Sequence, residues 1–156
     1  MLGAKQYGDA LNNYIKAGSQ SCPPEILEVL AHSEIDRIRL RVAENPRTPK
    51  DILELLASDK NVDVRIAAGT NPSTPAYVSY RLAFDEDPDV RLGLADDVNT
   101  PIELLEKLME DSNPYVSHRA AQTRDIVLSQ GKVRSFGHKL LHWVKKGLDE
   151  PELRYA

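Results

Sequence analysis

Apolar residues recur along this chain in blocks set 26 positions apart. Leu30, Leu56, Leu82 and Leu108 form one column, and Ile38, Val64, Val90 and Val116 another. Pro23, Pro49, Pro75 and Pro101 keep the same spacing. The residues between these columns vary freely, so low complexity does not explain the period, and a repeat of this length marks a stack of small structural units. Within a block, Ile52, Leu53, Leu56 and Ala57 fall at i, i+1, i+4 and i+5, one buried stripe of a helix. The same columns hold Ile26, Leu27, Leu30 and Ala31 in the first block, and Leu104, Leu105, Leu108 and Met109 in the last. A turn such as Asp85–Asp89 follows, then a second apolar set, which in the second block is Val64, Ile66, Ala68 and Gly69. Each block therefore predicts a pair of helices.

The punctuation agrees with this reading. Thr48-Pro49, Thr74-Pro75 and Thr100-Pro101 predict a capping hydroxyl followed by proline at the first helical position. Glu25, Asp51 and Glu103 add an acid to the first turn, where the helix dipole favours it. Asn45-Pro46 and Asn71-Pro72 end the second element, because proline cannot continue a helix and restricts the residue before it. Only about six to nine residues remain for that element, short enough for it to be 3₁₀ in part. One such pair cannot bury its own stripe, whereas stacked pairs share a continuous core. The expected fold is all-α: a short α-solenoid of four 26-residue helix-pair repeats over residues 20–122, within one domain spanning 1–156. Residues 1–19 would form the N-terminal cap, with Tyr7, Leu11, Tyr14 and Ile15 on one helix face, and residues 123–156 the C-terminal cap and tail.

Composition narrows the picture. Aromatics make up only 6% of the 156 residues, so the core must be built from Leu, Ile, Val and Ala. Residues 20–122 hold 19 acids against 11 bases, whereas residues 123–156 hold four against seven. An acidic body argues against general nucleic-acid binding, which needs Lys and Arg to displace counterions from phosphates. The single cysteine, Cys22, has no internal partner, as expected in a reducing compartment. No segment resembles a signal peptide or approaches the length of a membrane span. The expectation is a cytoplasmic protein.

The string Thr48-Pro49, Leu53, Leu56-Ala57, Asp59, Asp63-Val64-Arg65, Ala68, Asn71-Pro72-Ser73-Thr74-Pro75 resembles the leucine-rich repeat variant family. It is also similar to HEAT-type repeats, whose second helix often carries Asp-x-Val-Arg; Asp63-Val64-Arg65 and Asp89-Val90-Arg91 look like that signature. The resemblance covers residues 20–122. It implies alternating α and 3₁₀ layers in a right-handed superhelix. Some members of the variant family carry an N-terminal cysteine cluster that binds iron–sulfur. One cysteine cannot supply those thiolates, so no cofactor is expected.

Candidate chemistry is sparse. Arg39, Arg65 and Arg91 recur at one spot per repeat, with Asp63 and Asp89 two residues earlier. A residue repeated with the fold usually serves the fold, by bridging carboxylates and helix-end carbonyls. Together with Arg37 and Arg41, the same arginines are also a candidate anion site. The third repeat breaks its own pattern more informatively. It puts Tyr77, Tyr80 and Phe84 in columns that are otherwise polar, and Arg81 beside them. These four fall at i, i+3, i+4 and i+7, on one helix face, and Tyr115 is a candidate extension of it. Tyr, Phe and Arg are enriched at interfaces, so this face is either a partner site or packs on a loop or the C-terminal tail of the chain. Residues 132–148 carry Lys132, Arg134, Lys139, Lys145 and Lys146 around a stripe of Phe136, Leu140, Trp143 and Val144. That segment reads as a capping helix, or as a basic amphipathic helix for a membrane surface, an acidic partner or nucleic acid. His138 and His142 lack companions for a metal site, and no phosphate loop, nucleophile elbow or catalytic carboxylate pair stands out. The expected function is non-catalytic: binding another protein, partner unidentified and oligomeric state open. The alternative is binding of nucleic acid or another anionic ligand through the repeat arginines and the basic C-terminal segment.

Overall fold

A computed structural model describes residues 2–131, with side chains from residue 9 onward. All regular structure among these residues is helical. The chain divides into two units, Met1–Thr74 and Pro75–Ala156. The first contains α1 (Leu2–Ala17), α2 (Pro24–Ala31), α3 (Asp36–Glu44), α4 (Lys50–Leu56) and α5 (Val62–Thr70). The second contains α6 (Ala76–Leu82), α7 (Pro88–Asp96), α8 (Ile102–Leu108) and α9 (Pro114–Ser129).

In the first unit α3 lies between α1 and α5 in one row, while α2 packs on α4 in a second row against it. In the second unit α9 packs on both α7 and α8, and α6 packs on α7. The 26-residue columns form these cores. Leu30, Leu56, Leu82 and Leu108 are buried, as are Ile38, Val64, Val90 and Val116. Each buried Leu or Val side chain contributes roughly 1.5–3 kcal/mol relative to leaving it in water. The first block departs from the pattern at Ile26, which is exposed.

Two expectations are corrected, on the second elements and on the threonines. The second elements are regular α-helices, nine residues each in α3, α5 and α7, with no 3₁₀ stretch; the first elements α4, α6 and α8 are the shorter ones, at seven. Helix α9 runs on past residue 122 to Ser129. The threonines do not cap the helix that follows them. Pro49, Pro75 and Pro101 themselves hold the extended N-cap position. Each hydroxyl instead donates backward into the preceding helix: Thr48 to the Val42 carbonyl, Thr74 to Ala68 and Thr100 to Leu94, the last at 2.7 Å. The last carbonyls of a helix lack helical partners, and this hydroxyl supplies one.

The asparagines before the prolines do more than stop a helix. Asn71 is buried, and its amide Nδ2 donates to the carbonyls of Ala43 (2.6 Å) and Asn45 (2.9 Å) in the preceding repeat. Its Oδ1 accepts from the Ser73 N–H. Asn45 repeats the arrangement one step back, donating to Ala17 and Ser19. One amide thus closes its own turn and ties it to the repeat before.

The N-terminal helix also packs differently from its hydrophobic pattern. Leu11 and Ile15 are 61% and 62% exposed. The inward face is Ala10, Asn13 and Ala17, with Tyr14 at its edge under the Arg41 guanidinium, 5.0 Å from the ring centre. Small side chains let α1 approach α3 closely. The Tyr7 side chain and the whole basic segment 132–148, with Lys132, Arg134, Phe136, His138, Lys139, Leu140, His142, Trp143, Val144, Lys145, Lys146 and Leu148, lie outside the described residues.

Candidate interaction face and the arginine column

The arginine column is tied into the fold. Arg39 is only 6% exposed, on the buried side of α3. Its Nε and Nη2 donate to both carboxylate oxygens of Asp59, at 2.6 and 2.9 Å, and Nη1 donates to the Ser33 carbonyl at 2.7 Å. Arg91 repeats this in the second unit, with Asp111 at 2.7 and 3.1 Å and the Asp85 carbonyl at 2.6 Å. Arg65 donates to the carbonyl of Asp59, again six residues back. The carboxylates come from the next repeat, 20 residues on, and not from Asp63 or Asp89, which are exposed. Each aspartate also accepts from the backbone N–H two residues later, Asn61 or Asn113. The forked guanidinium suits this bidentate contact in a way that an ammonium does not.

The electrostatics follow. Burial works against the charged form of Asp59, but the hydrogen bond from Arg39 and the Asn61 N–H outweigh it and hold the carboxyl below the usual carboxylate range. The Arg91 hydrogen bond does the same for Asp111 against its burial. Burial pushes the Cys22 thiol up, with Lys16 and Arg47 pulling the other way, so it is a poor nucleophile.

The other proposed anion-site residues do not converge with these. Arg37 is exposed on α3. Arg41, two positions beyond Arg39 and hence on the other side of the helix, donates to Glu44 at 2.8 Å. Arg47, a further base of the first repeat, reaches the Gln20 carbonyl. Among the described residues, no group of three or more His, Cys, Asp or Glu side chains is placed to hold a metal ion.

The third-repeat aromatic face stands on α6. Val78 and Leu82 anchor this helix in the core, which turns Tyr77, Tyr80 and Arg81 to half-buried positions and leaves Phe84, just past its end, 56% exposed. Tyr80 and Phe84 meet edge to face with ring centres 5.2 Å apart, an arrangement that aromatic quadrupoles favour. Phe84 stands at a cleft of about 350 Å³ shared with Lys107, Glu110, Asp111 and Arg91. Tyr115 is set apart in the first turn of α9 and is 77% exposed.

A groove in the first unit was not legible as a site. Leu40, Ile66 and Ala67 line a hollow of about 470 Å³ between α3 and α5, with Glu44 and Asp63 at its sides. Leu40 and Ile66 occupy one 26-residue column and look like core in sequence; both are half-buried. The Asp59–Asp111 column was also readable at that spacing, with Asp85 between them, as partner to the arginines.

No family model matches the chain, and no curated protein or solved structure matches it significantly.

Proposed function

We propose that this chain is a non-catalytic protein–protein interaction module, its four helix-pair repeats forming one short right-handed solenoid of the leucine-rich repeat variant and HEAT-like kind. On this reading α1 and the C-terminal segment cap its ends, and the protein works in the cytoplasm without a cofactor. The observation that carries the function is the exposed Phe84 ring, braced by Tyr80 on a helix face whose columns elsewhere are polar. A large exposed aromatic on a helix otherwise anchored by Val78 and Leu82 contributes little to the core, and it suits the anchor role that such rings play in interfaces. Anion binding is less favoured, because Arg39 and Arg91 already spend their donors on Asp59, Asp111 and backbone carbonyls.

The test is affinity capture from native extract with wild type and Phe84→Glu side by side, circular dichroism confirming that both are folded. A protein captured stoichiometrically by wild type and lost with the variant supports the reading. Equal capture by both refutes the α6 face as the site.

A further inference from the structure

We propose that the aromatic face of α6 and the cleft at its end receive a lysine- or arginine-rich helical segment of another protein; this rests on the interaction role just assigned to that face. Three observations select the chemistry. First, the fourth repeat carries Glu103, Glu106, Lys107 and Glu110 in the columns where the third carries Tyr77, Tyr80, Arg81 and Phe84. Lys107 and Glu110 share the cleft with Phe84, and the hydrogen bond to Glu110 holds the Lys107 ammonium above its usual value against its partial burial. Aromatic positions of the third repeat thus correspond to mainly acidic positions of the fourth, and Phe84, Lys107 and Glu110 meet at one cleft.

Second, the cations already in the cleft are engaged. Arg91 is held by Asp111, and Lys107 donates to Glu110 at 2.7 Å. An incoming carboxylate would have to break these pairs. An incoming guanidinium or ammonium meets the face of Phe84, where a cation is attracted to the ring quadrupole, and the exposed carboxylate of Glu106. Third, residues 75–131 hold eleven acids against five bases and the whole unit, 75–156, fourteen against eleven, so its net charge is negative and favours a basic segment over an acidic one. The long stems of Lys and Arg can lie along the rings while their charged heads reach the exposed carboxylate of Glu106.

The experiment uses the full chain and two synthetic, fluorescein-labelled helical peptides with the same leucine pattern, one filled with lysine and one with glutamate. Binding is read by anisotropy against wild type, Phe84→Ala and Glu106→Lys/Glu110→Lys, with melting curves for each. The lysine peptide should bind, the glutamate peptide should not, and each variant should weaken binding about tenfold. If both peptides bind wild type equally and both lose affinity with Phe84→Ala, the basic partner is refuted while the aromatic site stands. If the lysine peptide binds Phe84→Ala as well as wild type, or neither peptide binds, the proposal is overturned together with the role given to this face.

Discussion

Replacing Asn71 with alanine tests the tie between repeats most directly. The substitution removes two donors that bond the Ala43 and Asn45 carbonyls and the acceptor of the Ser73 N–H. The Asn45 carbonyl keeps the bond it receives from the Thr48 N–H. Ala43, in the last turn of α3, takes its bond from this amide, so the cost concentrates there. A buried acceptor left unmade costs about 1–3 kcal/mol, and a hydrogen bond to a group that finds another partner about 1 kcal/mol. The expected loss is about 3 kcal/mol, or a fall in Tm of roughly 6–12 °C for a chain of this size. Asn71→Asp, of nearly the same shape, should cost more at neutral pH, because it aims a carboxylate at two carbonyl oxygens. Urea unfolding followed by far-ultraviolet circular dichroism measures both, with the exposed Asn12→Ala as a control. A loss below about 1 kcal/mol for Asn71→Ala, or a smaller loss for Asn71→Asp, would refute the claim that the amide donors hold the repeats together.

Arg91→Lys keeps the charge but loses the fork to Asp111 and should destabilise by about 1–2 kcal/mol, whereas Arg91→Ala, which leaves Asp111 unpaired, should approach about 3 kcal/mol; equal losses would show that charge alone matters. The Asp59 and Asp111 carboxyls lie below their usual range in the folded chain, so their contribution is present above about pH 4, the unfolded value, and is lost as pH falls through the lower folded values. Asp111→Asn should therefore be less stable than wild type at pH 7 and converge with it as the pH falls through the lowered folded value in urea titrations; a constant difference at all pH values contradicts the assignment. Thr100→Val should cost about 1 kcal/mol through the lost bond to Leu94, with Thr100→Ser retaining most of it. Phe84→Ala should change stability by less than about 1 kcal/mol, since the ring is more than half exposed; a larger fall in Tm would mark Phe84 as core.

The candidate site was half legible. Tyr77, Tyr80 and Phe84 stand out because they replace polar residues in a periodic frame, and a broken column is visible without coordinates. Which of the three faces solvent was not visible. Helical spacing puts all of them on one side of α6, but exposure depends on what neighbouring elements cover, and Phe84 lies past the helix end, where the chain turns. The arginine column was legible as structural, bridging carboxylates and carbonyls of its own and neighbouring repeats, but which carboxylate it takes was not. Asp63 and Asp89 are nearer in sequence, while the guanidinium reaches to the next repeat's turn.

The sequence by itself determined the helix pairs, their period and most of the buried stripe, because those follow from local periodicity and from proline, which acts on its own neighbours. Tertiary structure decided everything that needs a partner from elsewhere in the chain. It turned the threonine hydroxyls backward and gave the buried asparagines their acceptors. It also chose Ala10, Asn13 and Ala17 over Leu11 and Ile15 as the inward face of α1. A hydrophobic pattern states which side chains gain from burial, whereas the close approach of two helices decides which side chains fit.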